Sequence, residues 1–236
     1  MKILAFDSTA QVASVAIAED ERLLGQITLN NGNTHSQTLL PMAESLFKML
    51  SLTAQDIDLF ACSQGPGSFT GVRIGVATLK GMAFGRSKPC VGVSTLEALA
   101  YNLRIVKGII CPVMNARRSQ VYTAIFESDG KTLKRLSEDM AISIEELDAR
   151  LEKYNNEGLN VYLCGDGVSV TLGGLTRTRI EKTPEESTYQ SAYSVSQVAL
   201  ALYGEGKYTT DTEISATYLR LSQAERERAE RENNDK

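Results

Sequence analysis

The chain has 236 residues, of which 42% are hydrophobic, enough for one large domain or two smaller ones with their own cores. Its 25 basic and 29 acidic residues give a net charge of −4, which argues against an independent nucleic-acid binder with a cationic face. No apolar run approaches the roughly 18 residues of a membrane span, and Asp7 comes too early for a signal peptide. We therefore expect a cytoplasmic protein that does not contact membranes.

The cysteines and the single histidine limit the kinds of disulfide, metal or catalytic site that the chain could form. Cys62, Cys90, Cys111 and Cys164 lie far apart in apolar surroundings. This spacing is typical of buried, reduced thiols and not of a disulfide framework or a zinc site. His35 is the single histidine, so mechanisms that need two histidines are excluded.

The first hundred residues are predicted to form an antiparallel meander of three strands followed by alternating helices and strands. Thr34 and Gln37 have the spacing of a capping box and predict the start of the first helix. The predicted strands are Lys2–Ser8, Val12–Ala18, Glu21–Leu29, Ile57–Ser63 and Cys90–Val93. The predicted helices run from Thr34 to Leu50, from Phe69 to Gly85 and from Ser94 to Asn102.

A second series of elements begins near residue 108 and repeats this order imperfectly. The predicted strands are Gly108–Met114, Gln120–Phe126, Lys131–Leu136 and Leu159–Cys164, and the predicted helices are Ile144–Tyr154 and Ser194–Tyr203. The repeated order indicates two related α/β lobes. We expect a first lobe at 1–104, a second lobe at 105–222 whose final part could pack back on the first, and a charged tail at 223–236.

Two turns of the first lobe carry residues that could bind phosphate. Asp7, Ser8 and Thr9 lie between two strands, where a carboxylate and hydroxyls can hold a metal-bound phosphate, but the same residue types also form ordinary turns. Gly65 and Gly67 precede a helix, whose first amides can bind anions. No lysine follows as in a P-loop, which slightly favours a structural turn over a phosphate loop.

Two helices carry more apolar surface than one sheet can cover. The first is apolar around most of its circumference, and the second carries only Arg73 and Lys80 as charges before Arg86. Such an excess is typical of a protein interface, although a neighbouring lobe could cover it instead. The residues expected at the interface are Leu39, Ala43, Leu46, Phe47, Leu50, Gly71, Val72, Gly75 and Leu79.

Four stretches together resemble the TsaB (YeaZ) family. They are Phe6-Asp7-Ser8-Thr9, the segment 34–41, the segment 65–75 and Tyr218-Leu219-Arg220. This family is the dimerization subunit of the bacterial machinery that makes threonylcarbamoyladenosine in tRNA. The resemblance implies an α/β fold of two ribonuclease-H-like lobes, as in the actin, hexokinase and heat-shock-chaperone ATPases. It also implies that the glycine turn is a vestigial phosphate loop.

The resemblance implies a non-catalytic scaffold subunit without a cofactor or metal of its own. Such a subunit supports threonylcarbamoyl transfer to N6 of the adenosine 3′ of the anticodon in tRNAs that read ANN codons. The two apolar helices would pair with the catalytic subunit TsaD or with a second copy of the chain, and the ATPase TsaE and tRNA would join only within the complex. Thr95 and Leu99 align with two metal-binding histidines of TsaD, so the metal site is expected to be lost.

One alternative is a nucleotide-binding ATPase or small-molecule kinase of the same fold, with Asp7 and Thr9 at the phosphates. It would need a second phosphate-binding hairpin in the second lobe, where only Asn115-Ala116-Arg117-Arg118 occurs. A peptidase is excluded because the sequence has neither a His-Glu-x-x-His motif nor the residues of a plausible triad.

Overall fold

In a computed structural model, residues 1–220 are described, and the predicted charged tail at 223–236 lies outside them. The chain forms two sheets, each covered by helices. Among residues 1–220, no helix is long and apolar enough to cross a membrane.

The first sheet has five strands in the order β3-β2-β1-β4-β5. The first three strands are antiparallel, and β4 and β5 run parallel to β1. Their bounds are β1 Lys2–Asp7, β2 Ala13–Glu19, β3 Arg22–Leu29, β4 Leu59–Gly65 and β5 Cys90–Ser94. The residues of β1 after Lys2 are all buried, as expected for a central strand covered on both faces.

The second sheet is built around β6, which pairs with three strands. Its order is β10-β7-β6-β8-β9, with β11 parallel to β6. The bounds are β6 Lys107–Asn115, β7 Gln120–Thr123, β8 Phe126–Asp129, β9 Leu133–Arg135, β10 Met140–Ser143 and β11 Val161–Cys164.

Six α-helices cover these sheets within the described residues. They are α1 His35–Leu50, α2 Phe69–Ala83, α3 Thr95–Tyr101, α4 Ile144–Asn156, α5 Val168–Leu172 and α6 Ala192–Gly204. The helices α1 and α2 pack on one face of the first sheet, and α6 packs on the other. The division at 104/105 stays a prediction, but α6 lies in the core of the first sheet although it follows the whole second sheet in the chain.

Two local predictions from the sequence were wrong. Thr34 is extended and precedes α1, but its side chain makes no capping hydrogen bond, so the capping box is absent there. The predicted strand Gln120–Phe126 is broken into β7 and β8. Both strands pair with β6 in the same antiparallel register. The gap between them lies opposite Pro112, which has no N–H group to donate to a neighbouring strand.

Candidate partner-binding surface and interlobe cleft

The α1 residues predicted to form an interface mostly face the chain's own sheet. Leu39, Ala43 and Leu46 are 1%, 1% and 3% exposed and belong to the core between α1, α2 and the first sheet. Phe47 and Leu50 are partly buried and pack at the edge of that core. The apolar surface of α1 is as wide as the sequence indicates, but its centre is covered by α2 and the first sheet of this chain.

The predicted small-residue line on α2 also faces inward. Val72 and Leu79 are buried in the same core. Gly71 and Gly75 lie against the β1–β2 turn, where an added Cβ would stand 2.0 Å from the Ser8 carbonyl oxygen and 2.8 Å from Ser8 Oγ. The Ser8 hydroxyl also donates a 2.8 Å hydrogen bond to the Gly71 carbonyl oxygen. The two glycines therefore allow α2 to approach its own sheet closely.

A different set of α1 and α2 residues reaches solvent. Leu40 is 50% exposed, Ala77 and Gly81 are exposed, and Phe47 and Ile74 are partly exposed. A Cβ added at Gly81 would meet nothing within 4 Å. We call these five residues the outer helix face. They are apolar or small, and they lie on adjacent helices. The sequence alone does not show which side of each helix faces the sheet, so it could not single out these five residues.

The predicted phosphate-binding residues of the first turn are enclosed by protein. Asp7, Ser8 and Thr9 are 1%, 1% and 0% exposed. Asp7 Oδ1 accepts hydrogen bonds from the Thr9 amide and hydroxyl at 2.9 and 2.7 Å, and Oδ2 accepts one from Ser63. Burial raises the pKa of the Asp7 carboxyl, although these hydrogen bonds act in the opposite direction. The carboxyl thus binds Thr9 in the turn and Ser63 on β4.

The glycine turn before α2 is packed against the chain's own backbone. Gly65 has a φ of +119°, and a Cβ there would stand 2.3 Å from the Thr217 carbonyl oxygen. A Cβ at Gly67 would stand 2.5 Å from the Thr9 carbonyl oxygen, which accepts the Ser68 amide at 2.7 Å. The turn needs glycine because two other segments approach it closely. A vestigial phosphate-binding role for the two glycines stays a prediction.

A cleft of about 680 Å³ opens between the two lobes. Its charged residues are Arg117 and Arg220, with Asp166 as the one acidic residue among the described lining. Asp7 and Ser8 are not among the lining residues. The remaining residues of the lining are Thr9, Ala10, Gln11, Gly67, Ser68, Phe69, Thr70, Met114, Asn115, Ala116 and Tyr122.

The positions aligned with metal-binding histidines lie in the protein interior. Thr95 is fully buried, and its hydroxyl has no hydrogen-bond partner among the described residues. Leu99 is 1% exposed and packs in the core between α3 and the second sheet. Across residues 1–220, no group of three or more histidine, cysteine, aspartate or glutamate side chains is placed to hold a metal ion.

An aromatic cluster at the rim of the cleft was not found from the sequence. The rings of Phe69 and Tyr218 stack in parallel with centroids 4.4 Å apart. Arg73 Nε donates a 2.8 Å hydrogen bond to the Tyr218 hydroxyl, and its guanidinium lies within 6 Å of both ring centroids. The sequence indicates Tyr218-Leu219-Arg220 only as part of a family motif. A separation of 145 residues between Arg73 and Tyr218 leaves no local sequence signal.

Comparison with known proteins identifies the family. A family model described as TsaD, tRNA N6-adenosine threonylcarbamoyltransferase, matches residues 22–220. The chain belongs to the TsaD family. Within it, the chain is similar to proteins named tRNA threonylcarbamoyladenosine biosynthesis protein TsaB. It is 29% identical to the Bacillus subtilis protein over 95% of this chain and 96% of the relative. It is 28% identical to the Escherichia coli protein over 93% of this chain and 95% of the relative.

Solved structures agree on the fold. YeaZ from Pseudomonas aeruginosa superposes with a TM-score of 0.79 and 23% identity, covering 92% of this chain and 99% of that chain. The predicted resemblance to TsaB (YeaZ) is therefore confirmed, and so is the α/β fold of two lobes. The match to TsaD proteins themselves is shorter: the Kosmotoga olearia enzyme is 30% identical over 43% of this chain and 35% of its own length.

Proposed function

We propose that this chain is the non-catalytic scaffold subunit for threonylcarbamoyl transfer to tRNA. The observation that carries the proposal is the chemistry of Thr95 and Leu99, which stand where the catalytic relatives are expected to carry metal-binding histidines. Both side chains are buried, and a leucine side chain has no donor atom for a metal. The similarity to named TsaB proteins over nearly the whole chain supports the same function.

The outer helix face is the proposed docking surface for TsaD in the cytoplasm. Leu40 and Ile74 supply exposed apolar area, while Ala77 and Gly81 are small enough for a second pair of helices to approach closely. In the absence of TsaD, the same face would form a homodimer. TsaE and tRNA would bind only to the assembled complex, where TsaD provides the catalytic site.

Two substitutions test this surface without entering the core. Gly81→Arg places a large cation where a Cβ meets open space, and Leu40→Glu places a charge on an exposed side chain. Met49→Glu is the matched control, because Met49 is 76% exposed and lies about half a turn around α1 from Leu40. All three variants should keep wild-type circular dichroism spectra.

Light scattering and titration with TsaD then separate the outcomes. The first two variants should lose the homodimer and weaken TsaD binding by at least about 10-fold, since an unpaired charge buried in an interface costs several kcal/mol. The Met49→Glu control should bind normally. Wild-type affinity in a folded Leu40→Glu and Gly81→Arg double variant would show that the docking surface lies elsewhere.

A second candidate function is the nucleotide-binding ATPase or kinase, which the size of the interlobe cleft favours. A cleft of about 680 Å³ is large enough for a small-molecule ligand. Against it, Asp7 is buried and hydrogen-bonded to its own turn. Multiple-turnover ATP hydrolysis by the purified chain, lost in Asp7→Asn, would support the enzyme and contradict the scaffold.

A further inference from the structure

The cleft rim places an exposed aromatic stack beside arginine side chains. Tyr218 remains 39% exposed although one face of its ring is covered by Phe69. Phe69 itself lines the cleft together with Arg117 and Arg220. Arg73 bonds the Tyr218 hydroxyl at the edge of the stack. Phe69, Arg117 and Arg220 line the cleft, Tyr218 and Arg73 adjoin Phe69, and Arg118 is the exposed residue after Arg117. We call these six residues the rim surface.

The loop between β6 and β7 holds its arginines outward in an uncommon backbone conformation. Arg117, Arg118 and Ser119 have φ angles of 62°, 54° and 54°, and all three residues are exposed. Asn115 Oδ1 accepts the Arg117 amide at 2.8 Å and so helps to fix the loop. Left-handed backbone at residues other than glycine has an energetic cost and persists where the surrounding structure supports it.

These arginines lack acidic partners within the described chain. None of the four arginines of the rim surface takes part in a salt bridge among residues 1–220, whereas Arg135, Arg150, Arg177 and Arg179 all do. Arg220 instead donates to the Ala116 carbonyl oxygen at 3.1 Å, linking the C-terminal segment to the β6–β7 loop. Within residues 1–220, a chain with a net charge of −4 thus places four arginines without an acidic partner at one rim.

We propose that the rim surface binds single-stranded RNA, an inference that rests on the proposed function and assigns to it a contact surface for the tRNA. Proteins that bind unpaired RNA combine cationic side chains along the phosphates with aromatic or guanidinium planes on which bases stack. The rim surface has both parts. Arg117 and Arg118 would contact phosphates, and the exposed ring of Tyr218 would stack on an unpaired base.

The stack of Phe69 and Tyr218 also has a structural role, and the proposal accounts for this role as well as for RNA binding. Tyr218 stacks on Phe69 and bonds Arg73, both of α2, and the amide of the preceding Thr217 donates to the Gln64 carbonyl oxygen of β4 at 2.7 Å. The stack therefore helps to hold the C-terminal segment on α2. That role requires Phe69 and Tyr218 to pack together, but it does not require Arg117 and Arg118, which lie on the second lobe. The arginine pair therefore tests RNA binding separately from attachment of the C-terminal segment.

The experiment measures the binding of a fluorescein-labelled RNA stem-loop to the chain in complex with TsaD, by anisotropy at several salt concentrations. The first variant is Arg117→Ala/Arg118→Ala. The matched control is Arg177→Ala/Arg179→Ala, which removes the same charge from two arginines of the second lobe that are 50% and 84% exposed. Tyr218→Ala and Tyr218→Phe test stacking, because the phenylalanine retains the ring and loses only the bond to Arg73.

The rim double variant should weaken stem-loop binding by at least about 10-fold and reduce the salt slope by about 1.4, the value for two contacts to single-stranded phosphates. Tyr218→Ala should weaken binding roughly 5-fold or more, and Tyr218→Phe should stay close to wild type. A fully paired RNA duplex should bind more weakly than the stem-loop to the wild-type complex. The control variant should bind both RNAs as the wild type does.

Two results would overturn the proposal. One is equal RNA affinity and equal salt slope in the rim double variant and its control. The other is a rim variant that binds RNA normally but no longer recruits TsaE, which would identify a protein-docking site. In either case the chain would still form its complex with TsaD, so the scaffold function would survive. Failure of the wild-type chain to assemble with TsaD would instead contradict the scaffold function itself.

Discussion

Ser63 Oγ donates a 2.6 Å hydrogen bond to Asp7 Oδ2 in the buried part of the first sheet. The bond joins the C-terminal ends of two parallel neighbours, β1 and β4. The Asp7 carboxyl therefore has a serine and a threonine of its own lobe as partners, and a phosphate-binding role for it stays a prediction.

The Asp7 carboxyl predicts a stability that depends on pH. Its folded-state pKa is raised by burial, so the folded protein retains the proton at a higher pH than the unfolded chain does. The free energy of unfolding should therefore fall as pH rises from about 4 through the raised value. Urea unfolding across this range should show the decline in the wild type and a smaller decline in Asp7→Asn, which keeps an amide oxygen for Thr9.

Removing the Asp7 side chain should have a larger effect at neutral pH than replacing it with asparagine. Asp7→Ala should cost about 1–3 kcal/mol at neutral pH, because the Thr9 and Ser63 donors would lose their acceptor in a buried place. Equal stability of the alanine and asparagine variants would contradict this account of the turn.

Two glycines of α2 should respond oppositely to alanine. At Gly71 the new Cβ would stand 2.0 Å from the Ser8 carbonyl oxygen, so helix and turn must separate, and we expect a loss of about 1–3 kcal/mol. At Gly81 the Cβ meets open space, and alanine should stabilise the helix by about 0.5–1 kcal/mol. Thermal unfolding of both variants checks the pair; a shift of the same sign in both would show that α2 does not pack as described.

Asp148 predicts that the second lobe weakens in acid. Burial would raise the pKa of this carboxyl, but hydrogen bonds from the amides of Thr176, Arg177 and Thr178 and from the Thr176 hydroxyl outweigh burial and lower it. The stabilisation is present above the unfolded pKa of about 4 and is lost as pH falls through the lowered value.

Asp148→Asn should therefore lower the free energy of unfolding by about 1.5–3 kcal/mol at pH 7, since the hydrogen bonds involve a charged acceptor. The difference from wild type should shrink on acidification. Chemical denaturation at pH 7 and near pH 3 measures both parts, and a constant difference would show that the charge is unimportant.

The four cysteines should be unreactive in the folded protein. All four are buried and free. Burial raises the pKa of Cys90 to about 11 and of Cys111 to about 12, and it raises those of Cys62 and Cys164 as well. Because the thiolate is the reactive form, a thiol-reactive dye at pH 8 should label none of them before unfolding and all four afterwards. Rapid labelling of the native protein would show that at least one thiol is accessible.

The sequence by itself determined the type and extent of most elements. Apolar periodicity and helix-start residues are local signals, and they predict a first helix from Thr34 to Leu50 and a second from Phe69, within a residue or two of the structure. The helix predicted from Ser94 likewise begins there, because the Ser94 hydroxyl accepts the Glu97 amide at the start of α3. The motifs around Asp7 and Gly65 were specific enough to indicate the family.

Only the tertiary structure decided which side of each helix is available to a partner. Leu46 and Leu40 are both leucines on the same apolar helix, yet one is 3% and the other 50% exposed. That difference depends on which neighbouring element covers each side of α1. These neighbours are distant in the chain, so the periodicity of the helix sequence does not indicate them. The same reason explains why Gly75 proved to lie against Ser8, and why the stack of Phe69 and Tyr218 appeared only when the C-terminal segment returned to α2.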